Sequence, residues 1–128
     1  MPDCVFCDIV AGRVPAKVAY QDAAVVAFHD IRPMAPVHVL VVPRKHVTSL
    51  MTERSPVFHG MVVHGIQKTA EALGLTDFSV HTNVGPGARQ TVEHLHWHLK
   101  GEGGVHVPGD KPLIPVSEVP IPTKLEQF

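Results

Sequence analysis

The spacing of apolar positions changes several times along this chain, and each change marks an element. Phe6–Gly12 reads as a short helix, with Gly12 as its stop. Val18–Gln21 and Val25–Phe28 are short β-type runs. Asp22-Ala23-Ala24 between them predicts a hairpin. Ile31–Pro36 carries Pro33 and Pro36 and reads as a loop, while His38–Val42 is a near-continuous β-branched run closed by Pro43, a central strand. Ser55 and Pro56 form a helix start. Phe58, Met61, Val62, Ile66, Ala70 and Leu73 then predict one amphipathic helix over Pro56–Leu73, with Gly74 at its C-cap. Phe78–Asn83 and His94–Lys100 are two further strands, the first ended by Gly85-Pro86-Gly87. The sum is an α+β domain with about five antiparallel strands, one long helix and a short N-terminal helix. Pro108, Pro112, Pro115, Pro120 and Pro122 cannot continue a ladder or a helix. The chain therefore divides into a domain over residues 1–107 and a Pro-rich C-terminal extension over 108–128.

Composition narrows the function. At 128 residues the chain suits one domain with its own core. Lys plus Arg number 11 and Asp plus Glu 12, so no basic excess points to nucleic acid or an anionic membrane. No apolar run approaches the ~18 residues of a membrane span, and the N-terminus lacks the pattern of a signal peptide. A cytoplasmic location is expected. Cys4 and Cys7 form a C-x-x-C pair, too few and too close for a disulfide framework. With only three residues ahead of it the pair favours half of a metal site over a redox motif, which usually follows a strand.

The chain has 10 histidines, and the densest run is His94-Leu95-His96-Trp97-His98. Side chains alternate along a strand, so His94, His96 and His98 point one way and Leu95, Trp97 and Leu99 the other. A one-sided imidazole row is costly to bury unless it is hydrogen-bonded or used. A His-rich polar face is the plainest reading. Two chemical readings compete with it: two of these histidines hold a catalytic zinc, or the middle one attacks an anion that its neighbours bind. Imidazole titrates near pH 7, which suits attack on phosphorus.

His94-Leu95-His96-Trp97-His98-Leu99 resembles the H-φ-H-φ-H-φ-φ motif of the histidine-triad (HIT) superfamily of nucleotide hydrolases and transferases. Phe28-His29-Asp30-Ile31-Arg32-Pro33 is similar to that family's nucleoside-binding segment, and Ala35–His46 to its P-x-H strand. Asn83-Val84-Gly85 and Arg89-Gln90-Thr91-Val92 resemble the stretch before the triad. The resemblance runs from Cys4 to about Lys100 and is strongest to the Hint-like nucleoside phosphoramidase branch. It implies that His96 is the nucleophile of a covalent nucleotidyl-histidine intermediate. His98 would contact phosphate and leaving group, His38 would complete the proton and hydrogen-bond network, and His94 would hold the strand. Asp30 would take the ribose hydroxyls. Val5, Phe6, Ile9, Phe28, His29 and Ile31 would form the slot for the base, and Asn83, Gln90 and Thr91 would bond the phosphate or leaving group.

The same resemblance implies a structural zinc on Cys4, Cys7, His46 and His94, no cofactor for catalysis, and a homodimer with a continuous sheet. It depicts a hydrolase of purine nucleoside phosphoramidates or acyl-adenylates. Alternatives are a dinucleoside polyphosphate hydrolase, a nucleotidyltransferase, a nucleotide-binding protein without turnover, or a metal-binding module. Arg89 departs from the usual glycine, Lys100 from an apolar residue, and a C-terminal Trp is absent near Val107. Of the other histidines, His59 and His64 read as helix-surface positions and His106 as a loop residue. His81 shares a face with Ser79 and Asn83 on the site side. Gly85-Pro86-Gly87 is a tight turn and Arg44-Lys45 a solvated strand end.

Overall fold

The computed structural model describes residues 4–102. The Pro-rich extension 108–128, Val107 and His106 lie outside the described residues. Within them the order is α1 (Val5–Val10), β1 (Val18–Gln21), β2 (Val25–His29), β3 (Val37–Pro43), α2 (Pro56–Ala72), β4 (Phe78–Thr82), a 3-10 turn (Pro86–Ala88) and β5 (Trp97–Gly101). The sheet is antiparallel throughout, in spatial order β1-β2-β3-β5-β4. The α+β expectation of five strands, one long helix and a small N-terminal helix therefore holds. Among the described residues no helix is long and apolar enough to cross a membrane.

Alternation along the strands divides the core into two layers. Val25, Ala27, Val39, Val41 and Leu99 pack with Val62, Ile66 and Ala70 of α2 and with Leu73, its C-cap. Val18, Val26, Phe28, Leu40 and Val42 pack on the opposite face with Phe6 and Ile9 of α1 and with Cys4, its N-cap. Every residue of β3 is buried, as its unbroken β-branched run requires of a central strand covered on both sides. Helix α2 begins as its sequence predicts. The Ser55 hydroxyl accepts the Phe58 N–H at 3.2 Å, and Pro56 occupies the first turn. Gly12 and Gly74 close the two helices with φ of +80° and +69°.

One boundary matters for chemistry. The last strand begins at Trp97, not at His94. Val41 pairs with Trp97, so continuing the ladder would set Pro43 opposite Leu95, and Pro43 has no N–H to give. The chain leaves the ladder there. Leu95 N–H donates instead to Val47 O at 2.6 Å, and the Thr82 hydroxyl donates to His96 O at 2.7 Å. Alternation survives this departure: Phe6 meets His94 and His96 on one face, while Trp97 and Leu99 join the α2 layer on the other.

Where α2 crosses β2, a Cβ at Gly65 would overlap Val25 Cγ2 and stand 3.2 Å from Cγ1. Val25 is fully buried and β-branched, so it cannot turn away. Helix propensity alone would make Gly65→Ala stabilising by about 1 kcal/mol. Overpacking opposes it by about 1–3 kcal/mol. The expected result is a net loss of up to about 2 kcal/mol in urea unfolding; a raised midpoint would contradict this close packing.

Candidate active site

A cleft of about 1030 Å³ opens on the α1 face of the sheet. Phe6, Ile9, Phe28 and Leu40 supply apolar walls, and Asp30, His38, His96 and His98 supply polar groups. Val5, His29, Ile31 and Thr91 complete the set of predicted residues that reach it. The stretch Val14–Lys17 and the residues Pro33, Pro36 and Val92 line it as well. The sequence did not mark them for the site: Val14–Lys17 form a connecting loop without periodicity or motif, and Pro33, Pro36 and Val92 lie in family-like segments but carry no polar side chain to single them out.

Fixed backbone partners determine which ring nitrogens carry protons. His96 Nδ1 lies 2.8 Å from His94 O, and a carbonyl only accepts, so Nδ1–H donates. The neutral ring then presents its lone pair at Nε2. Burial pushes the His96 pKa down, outweighing the opposing effects of the His94 carbonyl and Asp30. The ring therefore stays neutral near pH 7, the form that can attack an electrophile. Phe6 packs edge-on against it with centroids 5.0 Å apart.

His38 is fixed from the other end. Met34 N–H donates to His38 Nδ1 at 3.0 Å, so His38 carries its proton on Nε2. That proton is given to His98 Nδ1 at 2.9 Å, which leaves His98 with Nε2–H free to donate. The Asp30 carboxylate stands 3.5 Å from His38 Nε2 and also accepts the Arg32 N–H at 2.8 Å. Adding a proton to His98 Nδ1 would set two donors against each other. Burial, followed by His96, His81, His38 and Lys100, pushes His98 down to about 4.

Four of the predicted donors gather beside the cleft. Cys4 Sγ lies 3.4 Å from His94 Nδ1, Cys7 Sγ 3.2 Å from His46 Nδ1, and the two imidazole nitrogens are 3.1 Å apart. His94 Nε2–H donates to Pro43 O at 2.8 Å, so its Nδ1 lone pair faces the cysteines. Burial first, then the side-chain hydrogen bond and charge of Cys4, push the Cys7 thiol up to about 11. A cation would reverse that direction, because a ligating sulfur is a thiolate. These four residues can hold a metal ion.

The HIT domain family model matches residues 11–103. This chain belongs to the HIT family. It is 41% identical over 105 residues to Protein HitA of Neisseria gonorrhoeae, covering 79% of this chain and 97% of that one. An uncharacterized HIT-like protein of Methanocaldococcus jannaschii is 36% identical over 123 residues, covering 91% and 95%. A HIT family hydrolase from Clostridium thermocellum superposes with a TM-score of 0.75 at 36% identity, over 87% of this chain and 99% of that chain. A histidine triad nucleotide-binding protein from Candida albicans gives 0.69 at 28% identity, over 86% of each chain.

Two of the HIT motif residues serve the loop between β4 and β5. Gln90 donates to Thr48 O and Val92 O at 2.7 and 2.9 Å and accepts the Gly85 N–H at 2.9 Å. Asn83 donates to Ala88 O at 2.8 Å. Both amides thus hold the turn, and Thr91 is the member of that stretch lining the cleft. Arg89 takes φ +66°, a left-handed conformation that glycine adopts without strain.

An unfolded histidine titrates near 6.5, so between roughly pH 6.5 and pH 4 the unfolded chain holds protons that folded His98 refuses. Stability therefore falls as pH falls through that window. In NMR titrations the His98 ring protons are expected to move near pH 4. A midpoint at about 6, the ordinary range, would contradict the arrangement.

Proposed function

We propose that this HIT protein hydrolyses nucleoside 5′-monophosphate derivatives, purine nucleoside phosphoramidates or acyl-adenylates, through a covalent nucleotidyl-histidine intermediate on His96. The observation carrying this reading is the free Nε2 of His96, directed by the Nδ1–H bond to His94 O. Two structural relatives, a HIT family hydrolase and a histidine triad nucleotide-binding protein, support the class.

In this reading the base lies between Phe6, Ile9, Phe28 and Ile31, with His29 at the edge, and Asp30 accepts the ribose hydroxyls. His96 Nε2 attacks the α-phosphorus. A P–N bond to His96 forms as the bond to the leaving group breaks; an amine leaves with the proton of His98 Nε2–H, which the attacking water returns in the second step, and an acyl group leaves as its carboxylate. His98 Nε2–H and the Thr91 hydroxyl hydrogen-bond phosphoryl or leaving-group atoms, and His38 holds His98 in the donating tautomer. Water then adds its oxygen to phosphorus and frees His96, so one water is consumed for each nucleoside monophosphate released. Attack, positioning and hydrogen bonding all come from side chains, so catalysis requires no cofactor.

The Cys4, Cys7, His46 and His94 donors fit a structural zinc. Such an ion, filled by four protein ligands, would tie the N-terminal segment to the residues leading into the nucleophile. Free Cys4 and Cys7 suit a reducing cytoplasm. A homodimer joined along β4 fits its exposed Phe78 and Val80, which face solvent on an edge strand. The chain's charge balance gives no electrostatic basis for nucleic-acid or membrane partners.

Replacing His96 by Ala or Gly should reduce kcat on adenosine 5′-phosphoramidate by at least about a thousandfold while AMP binding stays measurable. Wild-type turnover in either variant would end this reading. Elemental analysis should find one zinc per chain. The double variant Cys4→Ser, Cys7→Ser should lose it and melt roughly 5–15 °C lower. An unchanged melting temperature would contradict the structural role.

A further inference from the structure

His81 has no part in the chemistry described so far, yet it touches the site. It lies on the edge strand β4, directly opposite His98 of β5. The two rings are stacked, centroids 4.5 Å apart and planes within 8°. His98 is thereby bounded by three imidazoles. His38 holds its Nδ1 at 2.9 Å, His96 meets it edge-on with centroids 5.1 Å apart, and His81 covers its face.

These contacts restrain different motions. A single hydrogen bond at Nδ1 fixes one atom of the ring and leaves the plane to a broad χ2 well. A flat neighbour restrains the plane itself. Tilting the ring out of that plane would swing Nε2–H away from the cleft and lengthen the Nδ1 contact to His38. We propose that His81 is a positioning residue: its ring, stacked on His98, holds the His98 plane so that Nδ1 faces His38 and Nε2–H faces the reacting phosphoryl group. The role in turnover rests on the hydrolase reading above.

The surrounding charges act in the same direction. Among the described residues, the groups facing His98 are His96 and Lys100 from its own segment, His38 from β3 with Asp30 behind it, and His81 from β4. Only Asp30 is negative, and it stands against His38. Burial, followed by Lys100 and His96, also pushes His81 down, so at neutral pH both stacked rings are uncharged. His81 thereby helps keep His98 a neutral donor.

The test compares His81→Ala with His81→Phe in the full chain. Phenylalanine keeps a flat ring and removes the titrating nitrogens; alanine removes the stack. His81→Ala should lower kcat on adenosine 5′-phosphoramidate about tenfold with KM within about twofold, as expected when geometry is loosened and binding is spared. Its His98 ring should titrate above that of wild type, which burial and the neighbouring rings push down to about 4, and the acid limb of the kcat profile should move up with it. His81→Phe should recover kcat to within about threefold of wild type.

The proposal is overturned if His81→Ala keeps both wild-type kcat and the wild-type His98 titration. It is also overturned if His81→Phe, folded with a wild-type melting temperature, is as slow as His81→Ala. If wild type itself fails to turn over phosphoramidate, the hydrolase reading fails and the His98 titration decides separately. An unmoved titration in His81→Ala then rejects the hold on the ring, and a raised one sustains it.

Discussion

Two backbone carbonyls set the chemistry of this protein. Pro43 O takes the Nε2 proton of His94, and His94 O takes the Nδ1 proton of His96. Each bond decides a tautomer, and the two decisions are opposite. His94 is left with a lone pair on Nδ1, aimed at two cysteines and His46. His96 is left with one on Nε2. Two histidines separated by one residue thus present their lone pairs to different places, His94 to the metal-competent cluster and His96 away from it, because each ring is anchored at the opposite nitrogen.

This depends on the chain abandoning the ladder at Leu95. In a continued strand the carbonyl of His94 and the backbone near Pro43 would be engaged by neighbouring strands. Pro43 prevents that by lacking an N–H, and Val47 O and the Thr82 hydroxyl satisfy the groups left over. The result is a short irregular segment held from several sides. Phe6 adds a packing link, lying edge-on to both His94 and His96. The helix that carries Phe6 is also tied by Cys4 and Cys7 to the same segment. The metal-competent cluster and the cleft therefore share a wall, and an ion in the first would act on the second through position.

Much of this was legible in the sequence where one local rule decides. Ser55-Pro56 marked the start of α2, the β-branched run marked β3, and the alternation of three histidines with Leu95 and Trp97 marked their common face. Other features required tertiary contacts. The strand start at Trp97 depends on which residue of β3 stands opposite. Gln90 and Asn83 are drawn to loop carbonyls that no spacing identifies. Val14–Lys17 reach the cleft because α1 and β1 are placed around it. His81 acquires meaning only when β4 pairs with β5 in one particular register, which follows from the hydrophobic patterns of both strands together.

The proposed chemistry begins at one atom, Nε2 of His96. Its most direct test is to mix enzyme with adenosine 5′-phosphoramidate, quench within the first turnover in alkali, where phosphoryl-histidine bonds survive, and map the adduct by peptide mass spectrometry. An adenylyl group is expected on the peptide containing His96, located at that residue by fragmentation. An adenylyl group on a different side chain, or a first turnover that completes with no protein adduct at any time point, would contradict it.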